Sequence, residues 1–392
     1  MLTACTIIAR NYLPYARVLA DSFAAHHPGS TFIVLIIDDE RRELETDGEP
    51  FRCMRLSDIG FSAEEIGRLA GIYDVTELAT AVKPQLLAHL LTDSEHVVYL
   101  DPDIKIFDSL DEVAHLARNH DIVLTPHTTV PLPRDGRRVD SRHVLGSGVY
   151  NLGFIGVGSG ARPFLEWWGE NTKREALVSP EQMMFTDQRW IDFVPAFFRH
   201  YLLKDPGYNV AYWNLHGRDL VGRDGRYLVN DYPLRFFHFS GFNYRQPHLL
   251  SKHQDDNPRV LLSERPTLAR ICAEYVQDLQ RAGIDKLRDL PYGWERLDNG
   301  FRLDSRSRRV YWNALVAHER DGEPEPPNPF AANHAEAFIA WLNEPHPEGP
   351  RGFSRYLFSL YQSRVDLRVA FRDIGGADAG AFEAWHLRGH GR

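Results

Sequence analysis

The alternation of apolar and polar positions divides the first half of the chain into short apolar runs and amphipathic stretches. Residues 6–9 form an apolar run suited to a strand buried on both faces. The turn Arg10-Asn11-Tyr12 follows. Over 15–26, Tyr15, Val18, Leu19 and Phe23 then recur at helical spacing, until Pro28-Gly29 stops the helix. Residues 32–37 predict a second buried strand closing on Asp38-Asp39, and residues 96–100 a third closing on Asp101-Pro102-Asp103. Between them, 63–69 reads as a short helix and 80–91 as a stronger one; 122–124 and 154–157 read as further strands, 167–178 and 185–198 as helices. This order predicts an α/β fold, a mostly parallel Rossmann-like sheet with helices on both faces. Ligands in such sheets sit at the carboxyl ends of the strands, where Asn11, Asp38, Asp39, Asp101 and Asp103 all fall. Residues 128–148, polar and rich in Arg, Gly and Pro, are long for a plain connection and read as a mobile active-site loop.

After about residue 250 the pattern changes. Residues 266–282 predict an amphipathic helix, 321–328 a linker by composition, and 333–343, 354–371 and 379–387 further helices. The expected partition is a catalytic domain over 1–250 and a mainly helical accessory region over 251–392. The stripes Phe338, Ile339, Trp341, Leu342 and Tyr356, Leu357, Leu360, Tyr361 fit a small helical module packed on the first domain. A ligand-binding module and a homodimer interface are sharper readings of the same stripes. A membrane-surface patch ranks last, because the bases and acids here are mixed.

Composition narrows the function classes. The 392 residues are 43% hydrophobic and 25% charged, as in an ordinary globular protein, and the net charge of −9 excludes a broad basic surface for nucleic acid. Only six of the bases are lysine, which fits a GC-rich bacterial genome and carries no functional weight. Cys5, Cys53 and Cys272 are too far apart for a zinc spacing and odd in number, so a reducing cytoplasm is expected. Residues 1–9 lack a charged leader region and read as a strand rather than a signal peptide, and no apolar run approaches the ~18 residues of a transmembrane helix.

The strongest chemical signal is Val97-Val98-Tyr99-Leu100-Asp101-Pro102-Asp103-Ile104. In an extended chain residues i and i+2 point the same way, so two carboxylates share one face at a strand end. Charges that close repel and call for a cation, and oxygen ligands suit Mg2+ or Mn2+. Alone, Asp-x-Asp is more often a solvated turn; the strand context and the other segments reverse that balance. His238 lies within Phe236-Phe237-His238-Phe239, Lys83 precedes Pro84 at the start of a helix, and Asp187-Gln188 precedes Trp190 and Ile191, where Asp187 could equally be a helix cap. The aromatics Tyr208, Tyr212, Trp213, Phe236, Phe237, Phe239, Phe242 and Tyr244 suit a ligand-binding wall or, more ordinarily, a core. His127, just after a strand, is a candidate ligand contact, on the acceptor side if a group is transferred.

Over roughly residues 3–245 these segments together resemble the GT-A fold nucleotide-sugar glycosyltransferases, most closely the retaining enzymes of glycosyltransferase family 8. Tyr99-Leu100-Asp101-Pro102-Asp103 is similar to the family's Asp-x-Asp block. Asn151-Leu152-Gly153-Phe154 resembles its Asn-Ala-Gly segment at the donor sugar, Asp187-Gln188 its Asp-Gln pair near the anomeric carbon, and His238-Phe239-Ser240-Gly241 its His-x-x-Gly block. The resemblance implies metal ligands Asp101, Asp103 and His238, and donor contacts at Ala9, Asn11, Tyr12, Lys83, Asn151, Gly153 and Gly241, with Asp187 and Gln188 as catalytic residues. It also implies a Mn2+ (or Mg2+) cofactor, a UDP-linked donor and a saccharide, glycolipid or small hydroxylated acceptor. Three departures stand out. Ala9 replaces an acidic residue often found at the end of the first strand, Leu152 replaces a small one, and a lysine after the His-x-x-Gly block has no clean match, with Tyr244 at its spacing and Arg245 or Lys252 nearby.

In physical terms, a cation bridging the two phosphates stabilises the charge that develops on the leaving group. Gln188 is a poor nucleophile, which favours same-face attack over double displacement. In that scheme Asp187 binds donor-sugar hydroxyls and Gln188 stabilises the cationic sugar. Alternatives are an inverting transferase or a sugar nucleotidyltransferase on a similar sheet, and a non-catalytic protein that keeps the nucleotide-sugar site. No glycine-rich phosphate loop follows the first strand, which weighs against a nucleotidyltransferase.

Overall fold

The apolar runs pair into one seven-stranded sheet. A computed structural model describes residues 1–350 and 352–390. The strands that position the site are β1 (Thr3–Ile8), β2 (Thr31–Ile36), β3 (Arg52–Arg55), β4 (His96–Leu100), β5 (Ile104–Ile106), β6 (Ile122–Pro126), β7 (Tyr150–Gly158), β8 (His200–Leu202) and β9 (Phe236–His238). The sheet order is β8-β6-β7-β4-β1-β2-β3. Every neighbouring pair is parallel except those of β7, which runs antiparallel to both β4 and β6. The α/β, mostly parallel architecture expected from the sequence is therefore the one observed. β5 and β9 form a separate antiparallel pair in which His238 faces Ile104.

Local differences from the sequence pattern have local causes. The helix expected over 80–91 is two helices, Val75–Ala81 and Lys83–Leu90. Pro84 has no N–H to continue the first helix, and its ring would meet the carbonyl four residues back. The helix expected over 185–198 is a 3-10 turn, Gln188–Phe193, and a short helix, Val194–Phe197, which Pro195 opens. β3 and β8 lie at the sheet edges and carry no long apolar run, so periodicity does not find them. The 128–148 segment carries its own helix, Ser141–Ser147, capped by Asp140. Rather than a free loop it is a fastened one: the Arg259 guanidinium pairs with Asp135 and donates to the carbonyls of Arg137 (3.2 Å) and Val139 (3.1 Å).

The chain forms two compact units, one of Met1–Gly60 and Val75–Gly293, the other of Phe61–Asp74 and Trp294–Arg392. This division does not decide the boundary expected at 250; the first unit runs to Gly293. The reason is the amphipathic helix Pro266–Arg281, which buries Leu268, Ile271, Cys272, Tyr275 and Leu279 among Tyr15, Val18, Phe237 and Phe239. The Tyr275 and Phe239 rings stack with centroids 3.7 Å apart. The second unit is helical and includes the helix Ala63–Ile72, opened by a Ser62–Glu65 capping box. There Gly71 leaves room for the Tyr311 ring, and the buried Arg308 guanidinium donates to the carbonyls of Tyr73 (2.8 Å) and Trp294 (2.6 Å). A cluster around Phe353, Phe358, Leu360 and Phe382 closes its far end. Among the described residues no helix is long and apolar enough to cross a membrane.

At the carboxyl end of β2, Asp39 pairs with Arg55 of β3 at 2.5 Å, and both side chains are almost fully buried. Removing one partner leaves the other charged and desolvated. Asp39→Ala is expected to destabilise the first unit by about 3–5 kcal/mol, read as a lower urea midpoint at unchanged slope.

Candidate metal and donor site

β4 delivers Asp101 and Asp103 to the carboxyl edge of the sheet, and two backbone bonds fix them there. The Asp101 N–H donates to the Gly153 carbonyl (2.8 Å), and the Phe239 N–H donates to the Asp103 carbonyl (2.8 Å). The β5–β9 register then brings in His238 from far along the chain. Its Nε2 lies 3.1 Å from Asp103 Oδ1 and 3.7 Å from Asp101 Oδ2. One ligand atom from each residue can be chosen so that all three fall within 4.8 Å of one another. His238 is buried, while the carboxylate side chains keep 31% and 23% exposure, so the group opens to solvent on its acidic side.

The donor set, two carboxylates and one imidazole, suits a divalent cation of the Mn2+ or Mg2+ kind. Gly153 supplies a second fit. A Cβ there would stand 2.3 Å from His238 Cε1 and 2.9 Å from Asp101 Oδ2, so a residue without a side chain is needed beside the ligands. The electrostatics agree. Burial raises the Asp101 pKa, Lys83 and His238 oppose the rise, and Asp103 adds to it. Burial disfavours the His238 cation, but Asp103 and Asp101 outweigh it and raise its pKa. The two acids thus favour positive charge at this point, which is the role a metal ion would take over.

Beside this group lies a buried ion pair. Lys83 Nζ is 2.8 Å from Asp187 Oδ2, donates to the Leu152 carbonyl (3.0 Å) and sits 4.3 Å from the centre of the Tyr99 ring. The Tyr99 hydroxyl in turn donates to Asp101 Oδ1 (2.7 Å). Burial raises the Asp187 pKa against the pull of Lys83. The structure therefore places Lys83 underneath the site, with its ammonium committed, rather than at its open face.

A chain of amides connects the remaining residues. Gln188 Oε1 accepts from the Leu152 N–H (3.0 Å), and its Nε2 donates to the Ser147 carbonyl (2.6 Å). Asn151 Oδ1 accepts from the Gly153 N–H (3.2 Å) and from Asn209 Nδ2 (2.9 Å), while its Nδ2 donates to His127 Nε2 (3.2 Å). His127 is thus not an open acceptor contact: it is buried, its Nε2 is an acceptor, and its Nδ1 faces the Val149 carbonyl at 3.3 Å. Burial pushes its pKa down to about 4.

At the end of β1, Ala9 is buried and the 3-10 turn Arg10–Tyr12 presents Asn11 and Tyr12. The Tyr12 ring stacks on Tyr15 (4.6 Å) and carries the Arg288 guanidinium at 4.7 Å. Burial raises the Tyr12 hydroxyl pKa, Arg288 opposes this, and Asp103 and Asp101 are near enough to reinforce it. Asp38 accepts from the N–H groups of Arg10 (2.8 Å) and Gly293 (3.0 Å), closing the adjacent strand end. Gly241, at φ +71, packs against Ser251 and His253 in a space where a Cβ would clash. Among the described residues, neither Tyr244 nor either of the two bases considered after the His-x-x-Gly block has a hydrogen bond or ion pair to Asp101 or Asp103. Tyr244 is buried in the core with Phe239 and Tyr275, Arg245 pairs with Asp289 (2.8 Å), and Lys252 is exposed. The remaining aromatics of that cluster are core, except Tyr212, which is half-buried. Arg288, Asn209 and Thr125 were missed by sequence reasoning; none belongs to a motif or to an informative spacing.

No family model matches the chain. The uncharacterized protein YfnF of Bacillus subtilis (strain 168) is 26% identical over 255 residues, 61% of this chain and 80% of YfnF. The uncharacterized protein YfnD of the same strain is 24% identical over 249 residues, 60% of this chain and 76% of YfnD. Among solved structures, the galactosyltransferase LgtC in complex with donor and acceptor sugar analogs aligns over 75% of this chain and 99% of its own, at 17% identity and TM-score 0.43. The glycosyltransferase GlyE of Streptococcus pneumoniae TIGR4, in its apo form, aligns over 71% of this chain and 62% of its own, at 12% identity and TM-score 0.39.

His127 generates a pH prediction. The unfolded chain binds a proton at this residue near pH 6.5, and the folded protein only near 4. Between those values the unfolded state holds more protons, so stability falls as the pH drops from 6.5 to 4, by up to about 3 kcal/mol for this residue. His127→Gln keeps both hydrogen-bonding roles without the titration. The difference between wild-type and H127Q stability, measured by urea titration at pH 7 and pH 4.5, is expected to shift in favour of the variant at the lower pH.

Proposed function

We propose that the protein is a retaining glycosyltransferase that moves a sugar from a nucleotide-sugar donor, UDP-linked, to a hydroxylated acceptor of the saccharide, glycolipid or small-molecule class. The observation that carries this reading is the convergence of Asp101, Asp103 and His238 on one point at the carboxyl edge of the sheet, directly beside the Asn151–Gly153 segment. In it, those three residues hold Mn2+ (or Mg2+), which supplies electrostatic stabilisation of the diphosphate leaving group.

The chain's own residues then divide the work by position. Asn11 and Tyr12 take the nucleoside, and Arg288, over the Tyr12 ring, brings the positive charge that Arg245, paired with Asp289, does not. Asn151 and Gly153 line the sugar pocket, and Gly241 keeps the backbone close on the other side. Asp187 and Gln188 border the anomeric carbon. Asp187 is ion-paired with Lys83 and Gln188 is an amide, so neither offers a free carboxylate for a covalent glycosyl intermediate. That supports attack by the acceptor on the face the leaving group departs from, with a leaving phosphate oxygen taking the acceptor's proton. We assign Lys83 to holding Asp187 and the Leu152 carbonyl in place, beneath the sugar rather than on the phosphates. Three free cysteines suit a cytoplasmic setting.

The test is a panel of nucleotide sugars with and without Mn2+, read by thermal shift and donor hydrolysis. A UDP-sugar is expected to stabilise the fold only with metal and to be hydrolysed slowly, and Asp103→Ala to abolish both responses. Stabilisation without hydrolysis or transfer would instead mark a binding protein, and inversion at the anomeric carbon, seen by NMR of the product, would overturn the same-face scheme. Asp187→Asn is expected to lower kcat by roughly 10²-fold, the scale of a lost transition-state contact. Full activity in that variant would remove Asp187 from the mechanism.

A further inference from the structure

We infer that Asn209 is the positioning residue that fixes which nitrogen of His238 faces Asp101 and Asp103; the inference rests on the metal-dependent reading above. Asn209 lies in the turn before Val210, fully buried, with its carbonyl accepting from Asn214 Nδ2 (2.9 Å). Its side-chain oxygen stands 3.2 Å from His238 Nδ1. Its side-chain nitrogen donates to Thr125 Oγ1 and to Asn151 Oδ1, each at 2.9 Å.

The direction of this amide is determined by its neighbours. Asn151 Oδ1 also accepts from the Gly153 N–H, and the Asn151 nitrogen is needed at His127. The atom of Asn151 that meets Asn209 is therefore an acceptor, and Asn209 must turn its NH2 toward it. Its oxygen is left for His238, where only a donor is compatible. His238 Nδ1 thus carries a hydrogen, and Nε2 is the nitrogen presented to the two carboxylates, 3.1 Å from Asp103 Oδ1. A metal-binding imidazole held in this way at its other nitrogen keeps its tautomer and ring orientation. A flipped amide would set NH2 against Nδ1 and oxygen against oxygen at Asn151.

The backbone explains why the residue is asparagine. Asn209 has φ +51, a left-handed conformation open to Gly, Asn and Asp but costly for most side chains. Of those three, only asparagine offers an acceptor to His238 and a donor to Asn151 at once. The same fact supplies clean variants. Asn209→Gly removes both bonds without straining the turn, and Asn209→Asp keeps an acceptor at Nδ1 while losing the donor to Asn151.

The experiment measures Mn2+ affinity of the donor-free full-length protein by EPR, with circular dichroism confirming the fold of each variant. N209G is expected to bind Mn2+ about 10–100-fold more weakly than wild type, the usual cost of losing an outer partner of a metal ligand. N209D is expected to bind at the wild-type level or more tightly, while its KM for the nucleotide sugar rises because Asn151 has lost its donor. Wild-type affinity in N209G overturns the inference. So does an N209D that is folded but as weak as N209G, since the loss would then trace to the donor bonds toward Thr125 and Asn151, which both variants lack, and not to the acceptor at His238 Nδ1. If N209G does not fold, N209D alone decides. A wild-type protein that binds no Mn2+ overturns the metal reading and this inference together, which separates that failure from the others.

Discussion

The site depends on one short pairing. β5 and β9 contribute three residues each, yet their register is what carries His238 to the acids at the end of β4. Without it the Asp-x-Asp turn is two solvated carboxylates repelling one another. The pairing is held from behind by the core, where Phe236 packs among Phe154 and Tyr208 and Phe237 among the residues buried by the helix Pro266–Arg281. Apolar side chains on both sides of His238 thus set the position of a polar group by fixing the strand that bears it. This is also why the first unit must extend to Gly293: the helix that covers β9 lies beyond the segment carrying the motifs.

Around that pairing the structure separates open charge from committed charge. Asp101 and Asp103 remain partly exposed, whereas Lys83 and Asp187 neutralise one another out of solvent's reach. A buried pair of this sort contributes little net stability but is damaging to break, which makes it a firm support for the Leu152 carbonyl and for Tyr99. The amides of Asn151, Gln188 and Asn209 link the same region with no formal charge at all. Each has its donor and acceptor atoms assigned by the next, so the arrangement is mutually consistent in one orientation.

Much of the fold was legible in the sequence, for identifiable reasons. β1, β2 and β4 are buried on both faces and so appear as unbroken apolar runs, and the helix Leu13–His26 shows its stripe clearly. β3 was not legible, because its Arg55 is buried through a salt bridge rather than by being apolar. β8 and β9 are too short for any period. In the site, Asp101 and Asp103 can be named from their spacing at a strand end, and His238 only from the resemblance of its segment to the His-x-x-Gly block; the structure brings the three together. Lys83 could be named but not placed: whether an ammonium faces a phosphate or a buried carboxylate depends on a neighbour a hundred residues away. Asn209 and Arg288 were invisible, since asparagine and arginine are common on surfaces and only the folded chain shows what they touch.

The helix Ala63–Ile72 has a consequence for how the chain assembles. It emerges early, between β3 and β4, yet its small residues Gly67 and Gly71 are matched to Asn328, Tyr311 and Pro329 from the C-terminal stretch. During synthesis those glycines meet the residues they fit only after about 240–260 further residues have been added. With translation at about 5–20 residues per second, that fit waits on the order of ten seconds or more. A chain cut after Gly293 lacks the residues that Gly67 and Gly71 accommodate altogether.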